Sequence, residues 1–144
     1  FFPFFFFFLL AAGHIPISRG SRNKAFASIE RSAQMARDGR QVLVFPEGQR
    51  SRDGTLGPFK KGGFVLALQA GLPILPIGIA GTYQVLPAGW WVRGRSPVCV
   101  VFGEPTETAG VAFEDKDVLI ERGRSRMVAL CAEAEQMRLE QLGG

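Results

Sequence analysis

Residues 41–45, Gln-Val-Leu-Val-Phe, form an apolar, β-branched run between two breaks in the chain, and this segment constrains the fold more than any other. So short a run suits a strand buried on both faces. Just upstream, Arg22–Asp38 carries Phe26, Ile29, Ala33 and Ala36 at spacings of three and four, the period of a helix, and Gly39 supplies its stop. Downstream, Pro46–Gly63 is dense in Gly, Pro and charge and reads as a loop. Phe64–Ala70 reads as an apolar helix ended by Gly71.

The same alternation extends outward. His14–Ser18 reads as a short strand, and Leu72–Ala80 as another, whose Pro73 and Pro76 cannot donate to a ladder and so place it at an edge or give it an irregular start. Thr82–Ser96 reads as a surface excursion and Pro97–Gly103 as a further strand. Phe113–Leu142 reads as one or two helices broken near Gly123. Strands alternating with helices predict an α/β protein: a single-domain sandwich over residues 1–144, with a largely parallel or mixed sheet flanked by helices. There is no internal repeat and no sign of a second domain.

Charge is unevenly spread. Residues 1–61 hold ten Lys/Arg against four Asp/Glu, whereas residues 62–144 hold seven against nine, so the basic character lies in the front half. A basic surface attracts phosphate of any origin, and charge alone does not choose among nucleic acid, anionic lipid and phosphorylated metabolite. Trp90 and Trp91 stand near Arg93 and Arg95, but the aromatics are not interleaved with charge as a stacking groove requires, so no nucleic-acid partner is expected. Cys99 and Cys131 lack the companion spacing of a metal site and read as small apolar residues rather than a disulfide.

Residues 1–12, FFPFFFFFLLAA, fall short of the ~20 apolar residues that cross a bilayer and lack the basic flank of a signal peptide. Exposed to water, this run would cost free energy, which suits either a bilayer interface or a core helix. The chain opens on Phe, and seven of its thirteen Phe fall in the first eight residues; from this we expect further sequence upstream of Phe1.

The chemistry-bearing stretch is Phe45-Pro46-Glu47-Gly48-Gln49-Arg50-Ser51. It follows the predicted buried strand, where α/β folds present their ligand loops. Gly48 lets the backbone turn tightly, Arg50 offers a planar fork of donors suited to phosphate, and Glu47 can orient that guanidinium or accept from a hydroxyl. Taken by composition alone, the same residues also describe a polar surface loop with a Glu–Arg pair.

FPEGQRS closely resembles the F-P-E-G-[ST]-R-S block of the glycerol-3-phosphate and lysophosphatidate (1-acylglycerol-3-phosphate) acyltransferase family. Three further blocks follow in the same order as in that family. Gly13-His14-Ile15-Pro16-Ile17-Ser18-Arg19 is similar to its G-x-I-x-I-x-R block, Phe59-Lys60-Lys61-Gly62-Gly63-Phe64 to its F-K-x-G-[AG] stretch, and Leu72-Pro73-Ile74-Leu75-Pro76-Ile77 to its V-P-I-x-P-V block. Gln49 departs from the usual Thr or Ser, Pro16 from a bulky apolar residue, and Ser18 from a frequent acidic one; none of these abolishes a phosphate site.

The resemblance implies a glycerophosphate acyltransferase-like fold. In it Arg19 and Arg50 hold the phosphate of the acceptor lipid, Glu47 and Gly48 shape its glycerol pocket, and Ser51 belongs to the same substrate-binding set. Lys60 and Lys61 can reach the same anion, although two lysines before Gly-Gly are equally an ordinary solvated turn. Thr82-Tyr83 can line the pocket mouth, or the tyrosine can simply be half-buried. The implied reaction is transfer of an acyl group from acyl-CoA or acyl-carrier protein to the free hydroxyl of lysophosphatidate, giving phosphatidate. The thioester is a cosubstrate, with no cofactor and no metal. The implied place is membrane-associated, at the cytoplasmic face of the bacterial inner membrane.

Members of the family carry an N-H-x-x-x-x-D block whose histidine takes the proton of the acceptor hydroxyl, help worth about 10²–10⁴-fold in rate. The 144 residues hold one histidine, His14, and five positions later stands Arg19, so that pattern cannot form within them. His14 sits among apolar neighbours in a predicted strand and reads as structural. No catalytic residue is therefore assigned. Two accounts remain open at this stage: a segment of an acyltransferase that lacks its catalytic block, and a non-catalytic module that binds anionic lipid.

Overall fold

The computed structural model describes residues 22–89, 92 and 94–143. The predicted strand at His14–Ser18, the Phe-rich run, Arg19, and Trp90, Trp91 and Arg93 lie outside the described residues. Helix α1 spans Arg22–Arg37, and the chain leaves it through Asp38 and Gly39. The Gly39 N–H donates to the Ala36 carbonyl and the Arg40 N–H to that of Met35, with Gly39 at φ +87°, the left-handed closure that glycine permits without a steric cost. Helix α2 spans Gly62–Ala70 and ends the same way: Gly71 donates to Leu68 and Leu72 to Ala67. Ala33 and Ala36 are buried on α1, and Ile29 lies at contact distance from Gly62, so small residues bring α1 and α2 together.

Strands β1 (Ile77–Ala80) and β2 (Cys99–Phe102) pair antiparallel, with Ile77 opposite Phe102 and Ala80 opposite Cys99. An isolated bridge between Ile74 and Thr106 extends the pairing past Pro76, which has no N–H and contributes its carbonyl, accepting from Gly103. The prolines therefore shorten the strand predicted over Leu72–Ala80 to its last four residues. Between the strands lies a single helical turn, α3 (Thr82–Val85). A 3₁₀ turn at Phe113–Asp115 leads into the long helix α4, Lys116–Gly143.

The α/β class follows from α4 lying across one face of the β1–β2 pair. Gly78, Ala80 and Cys99 face it, and Ala134 is completely buried in the seam. A Cβ on Gly78 would collide with the backbone of Leu130, so the close approach of helix and strand exists only because that position has no side chain. The predicted interruption of this helix at Gly123 does not occur. Gly123 is instead a buried notch in a continuous helix, and its missing Cβ makes room for the ring of Phe64 from α2. Cys99 is buried and Cys131 half-buried, both as free thiols.

The predicted strand at Gln41–Phe45 does not form among the described residues: the segment has no regular structure and makes no ladder with any of them, and Leu43 and Phe45 are 72% and 67% exposed. Burial on both faces is thus not what the described residues provide. Val44 lies against Gly63 at the start of α2 while remaining more than a third exposed. Among the described residues the sheet is the antiparallel β1–β2 pair, and no helix there is long and apolar enough to cross a membrane.

Candidate anion-binding site

The loop at residues 46–60 follows the irregular segment that ends at Phe45 and returns to the start of α2. Its two ends are tied by the Lys60 N–H, which donates to the Pro46 carbonyl at 2.7 Å. One step further in, the Gly57 N–H donates to Glu47 Oε2 at 2.7 Å. Gly48, at φ +71°, turns the chain back so that its N–H meets the Phe45 carbonyl, and it lies beside the aliphatic stem of Lys60. The tip is closed by Asp53, whose Oδ1 accepts from the Ser51 hydroxyl, the Thr55 N–H and the Thr55 hydroxyl, while the Gly54 N–H donates to Ser51 Oγ. Hydrogen bonds from Thr55 and then Ser51 pull the Asp53 carboxyl down from 3.8 to about 2.

This loop walls a cleft of about 260 Å³, lined by Glu47, Arg50, Ser51, Arg52, Asp53 and Lys60 among others. Two outside braces hold it. The Tyr83 hydroxyl donates to the Arg52 carbonyl at 3.1 Å, with its ring against Gly54, and Arg50 Nη1 lies 3.5 Å from the Pro87 carbonyl, at the long limit of a hydrogen bond.

Charge in the cleft is lopsided in effect. Both carboxylates are engaged by loop donors, Glu47 by a backbone amide and Asp53 by amide and hydroxyls. Among the described residues no ion pair ties up Arg50, Arg52 or Lys60. Three cations bordering one cleft, with the neighbouring negative charges already hydrogen-bonded, attract an anion, and the Arg fork suits the tetrahedral oxygens of a phosphate. Among the described residues no group of three His, Cys, Asp or Glu is placed to hold a metal ion.

Of the residues singled out in the sequence, Glu47, Arg50, Ser51 and Lys60 come together at the cleft, and Gly48 turns the loop behind Lys60. Arg19 lies outside the described residues. Lys61 does not join them: its Nζ lies 2.7 Å from Asp117 Oδ1 on α4. Just before the two lysines Phe59 is stacked on Phe64, with ring centroids 6.4 Å apart. Glu47 does not orient the Arg50 guanidinium, since its carboxylate reaches Gly57. Arg52, Asp53, Thr55 and Gly57 were not expected at the cleft. Their signal was the Ser-x-Asp-Gly-Thr run at residues 51–55, in which Asp-Gly marks a turn and flanking hydroxyls bond its carboxylate.

A tied Gly/Pro loop with cations bordering its cleft, on an α/β scaffold, is the kind of arrangement in which such folds hold anionic ligands. The family model described as Acyltransferase matches residues 1–80, and the chain belongs to that family. It is 40% identical over 128 residues to the chloroplastic 1-acyl-sn-glycerol-3-phosphate acyltransferase BAT2 of Brassica napus, covering 88% of this chain and 34% of that protein. The 1-acyl-sn-glycerol-3-phosphate acyltransferase of Haemophilus influenzae is 32% identical over 109 residues, covering 75% of this chain and 45% of that protein. The crystal structure of the 1-acyl-sn-glycerophosphate acyltransferase from Thermotoga maritima superposes with a TM-score of 0.68 at 29% identity, covering 79% of this chain and 45% of that one. The chain thus spans between a third and a half of the length of these relatives.

Proposed function

We propose that this chain forms the acceptor-phosphate site of an enzyme that moves an acyl group from acyl-CoA or acyl-carrier protein to the free hydroxyl of lysophosphatidate, giving phosphatidate. The observation that carries this reading is the convergence of Arg50, Arg52 and Lys60 on one cleft whose carboxylates are already engaged. The names of the Brassica and Haemophilus relatives and of the Thermotoga structure support the choice of a lysophosphatidate acceptor.

In this reading the acceptor hydroxyl oxygen attacks the thioester carbonyl, a C–O bond replaces the C–S bond, and the thiol leaves with the hydroxyl proton. The residues described here bind and orient the acceptor through its phosphate, which holds the hydroxyl near the thioester and lowers the entropic part of the barrier. Arg19 joins Arg50 on the phosphate, and Gly48 and Ser51 shape the turn around it. No cofactor or metal takes part. The acceptor is a membrane lipid, so the protein works at a membrane surface; the cytoplasmic face of a bacterial inner membrane is the specific place proposed.

The test is binding of the chain to detergent micelles doped with lysophosphatidate or, at equal density, with lysophosphatidylcholine. Tighter binding to the lysophosphatidate micelles, lost in Arg50→Ala, is expected; equal binding to both rejects the site.

A further inference from the structure

The carboxylate of Glu47 borders a cleft that collects cations, yet its Oε2 faces the loop's own backbone and accepts the Gly57 N–H at 2.7 Å. The contact is closely fitted on both sides. A Cβ on Gly57 would stand 3.0 Å from that same oxygen, so a side chain at residue 57 would press on the carboxylate that takes its amide. Pro58 follows, which disfavours the helical region at residue 57 and leaves no second amide to compete for the carboxylate. The neighbouring tie, Lys60 N–H to Pro46 carbonyl, makes this the inner of two rungs between the loop's limbs.

We infer that Glu47 is a positioning residue. By holding Gly57 it sets the separation of the two limbs, and so the distance at which Lys60 on one limb and Arg50 on the other meet a single phosphate. This role rests on the acceptor-phosphate reading above.

The chemistry argues against Glu47 as a direct partner of the acceptor's phosphate. A carboxylate pointed at a phosphate repels it, and one that oriented Arg50 would lie in an ion pair with it; among the described residues Arg50 instead contacts the Pro87 carbonyl. What position 47 must supply is an acceptor oxygen at the right reach. Negative charge is not itself required.

Reach and charge separate cleanly in two substitutions. Glu47→Gln keeps the length and an accepting carbonyl but removes the charge. Glu47→Asp keeps the charge but falls one methylene short. Binding of the whole chain to micelles doped with lysophosphatidate is measured for both, together with Glu47→Ala, Gly57→Ala and the double Glu47→Ala/Gly57→Ala variant. Exchange of the Gly57 amide is followed by NMR in the absence of lipid.

Glu47→Gln is expected to bind within about threefold of wild type, and Glu47→Asp and Glu47→Ala about tenfold more weakly, the loss of one hydrogen bond to a charged acceptor. Gly57 amide exchange should quicken in the two weak binders and not in Glu47→Gln. The double variant should be no weaker than Glu47→Ala, because both changes break the same rung. Glu47→Gln and Gly57→Ala carry the test if Glu47→Ala does not fold.

Glu47→Gln binding as poorly as Glu47→Ala, or Glu47→Asp binding as well as wild type, overturns the positioning role while leaving the acceptor site standing. Wild type that fails to prefer lysophosphatidate over lysophosphatidylcholine overturns the acceptor reading itself, and with it this role, even where amide exchange still reports the Glu47–Gly57 bond.

Discussion

Lys61 Nζ meets Asp117 Oδ1 at 2.7 Å on the far helix, whereas the adjacent Lys60 borders the cleft. Two neighbouring cations of the same type thus serve different partners. Lys60→Ala is expected to weaken binding to lysophosphatidate micelles about tenfold, the value of a charge-assisted contact, while Lys61→Ala leaves it unchanged. Both members of the Lys61–Asp117 pair are nearly two-thirds exposed, so urea unfolding of Lys61→Ala should show a midpoint indistinguishable from wild type.

Arg50→Lys tests the fork rather than the charge. A lysine presents a point charge on a flexible stem and cannot engage two phosphate oxygens in one plane. Calorimetric titration with lysophosphatidate should give affinity between those of wild type and Arg50→Ala, about tenfold below wild type.

Asp53 gives the loop tip its pH dependence. Its carboxyl in the folded loop lies near 2 rather than 3.8, so the ionised form favours the folded tip. That contribution is complete well above pH 3.8, fades as pH falls, and is gone below about 2. A ¹³C NMR titration of the Asp53 carboxyl should show a midpoint near 2. Thr55→Ala, which removes the hydroxyl hydrogen bond that contributes most to this lowering, should move the midpoint upward.

Gly123 and Phe64 form one packing unit, because a Cβ at 123 would lie 2.6 Å from the Phe64 ring. Gly123→Ala is expected to destabilise the fold by about 1–3 kcal/mol through overpacking, as measured by chemical denaturation. Combining it with Phe64→Leu should cost less than the sum of the single changes, since the smaller side chain vacates the notch.

Helix α1 and its Gly39 stop were legible in the sequence, because apolar spacing and a left-handed closing glycine are written within one stretch of chain. So were the irregular start of β1, dictated by Pro76, and the loop after Phe45. Lys61 was not, since its partner lies 56 residues away. Gly123 misled for a related reason: a glycine in a helix reads as a weak point until the ring that fills its notch is known. The role of Glu47 was hidden more subtly. An Arg three residues on is the obvious partner by charge, whereas the amide it takes belongs to Gly57, ten residues on in a segment with no periodicity to mark it.

The loop's own ties, Pro46 to Lys60, Glu47 to Gly57 and Asp53 to its hydroxyls, fall within one contiguous stretch of chain, and its outside braces come from Tyr83 and Pro87, whereas the seam of α4 against β1 joins Gly78 to Leu130. The shape of the cleft and the firmness of the fold therefore rest on different residues. Weakening that seam loosens the molecule as a whole while every bond that gives the loop its outline keeps both of its partners.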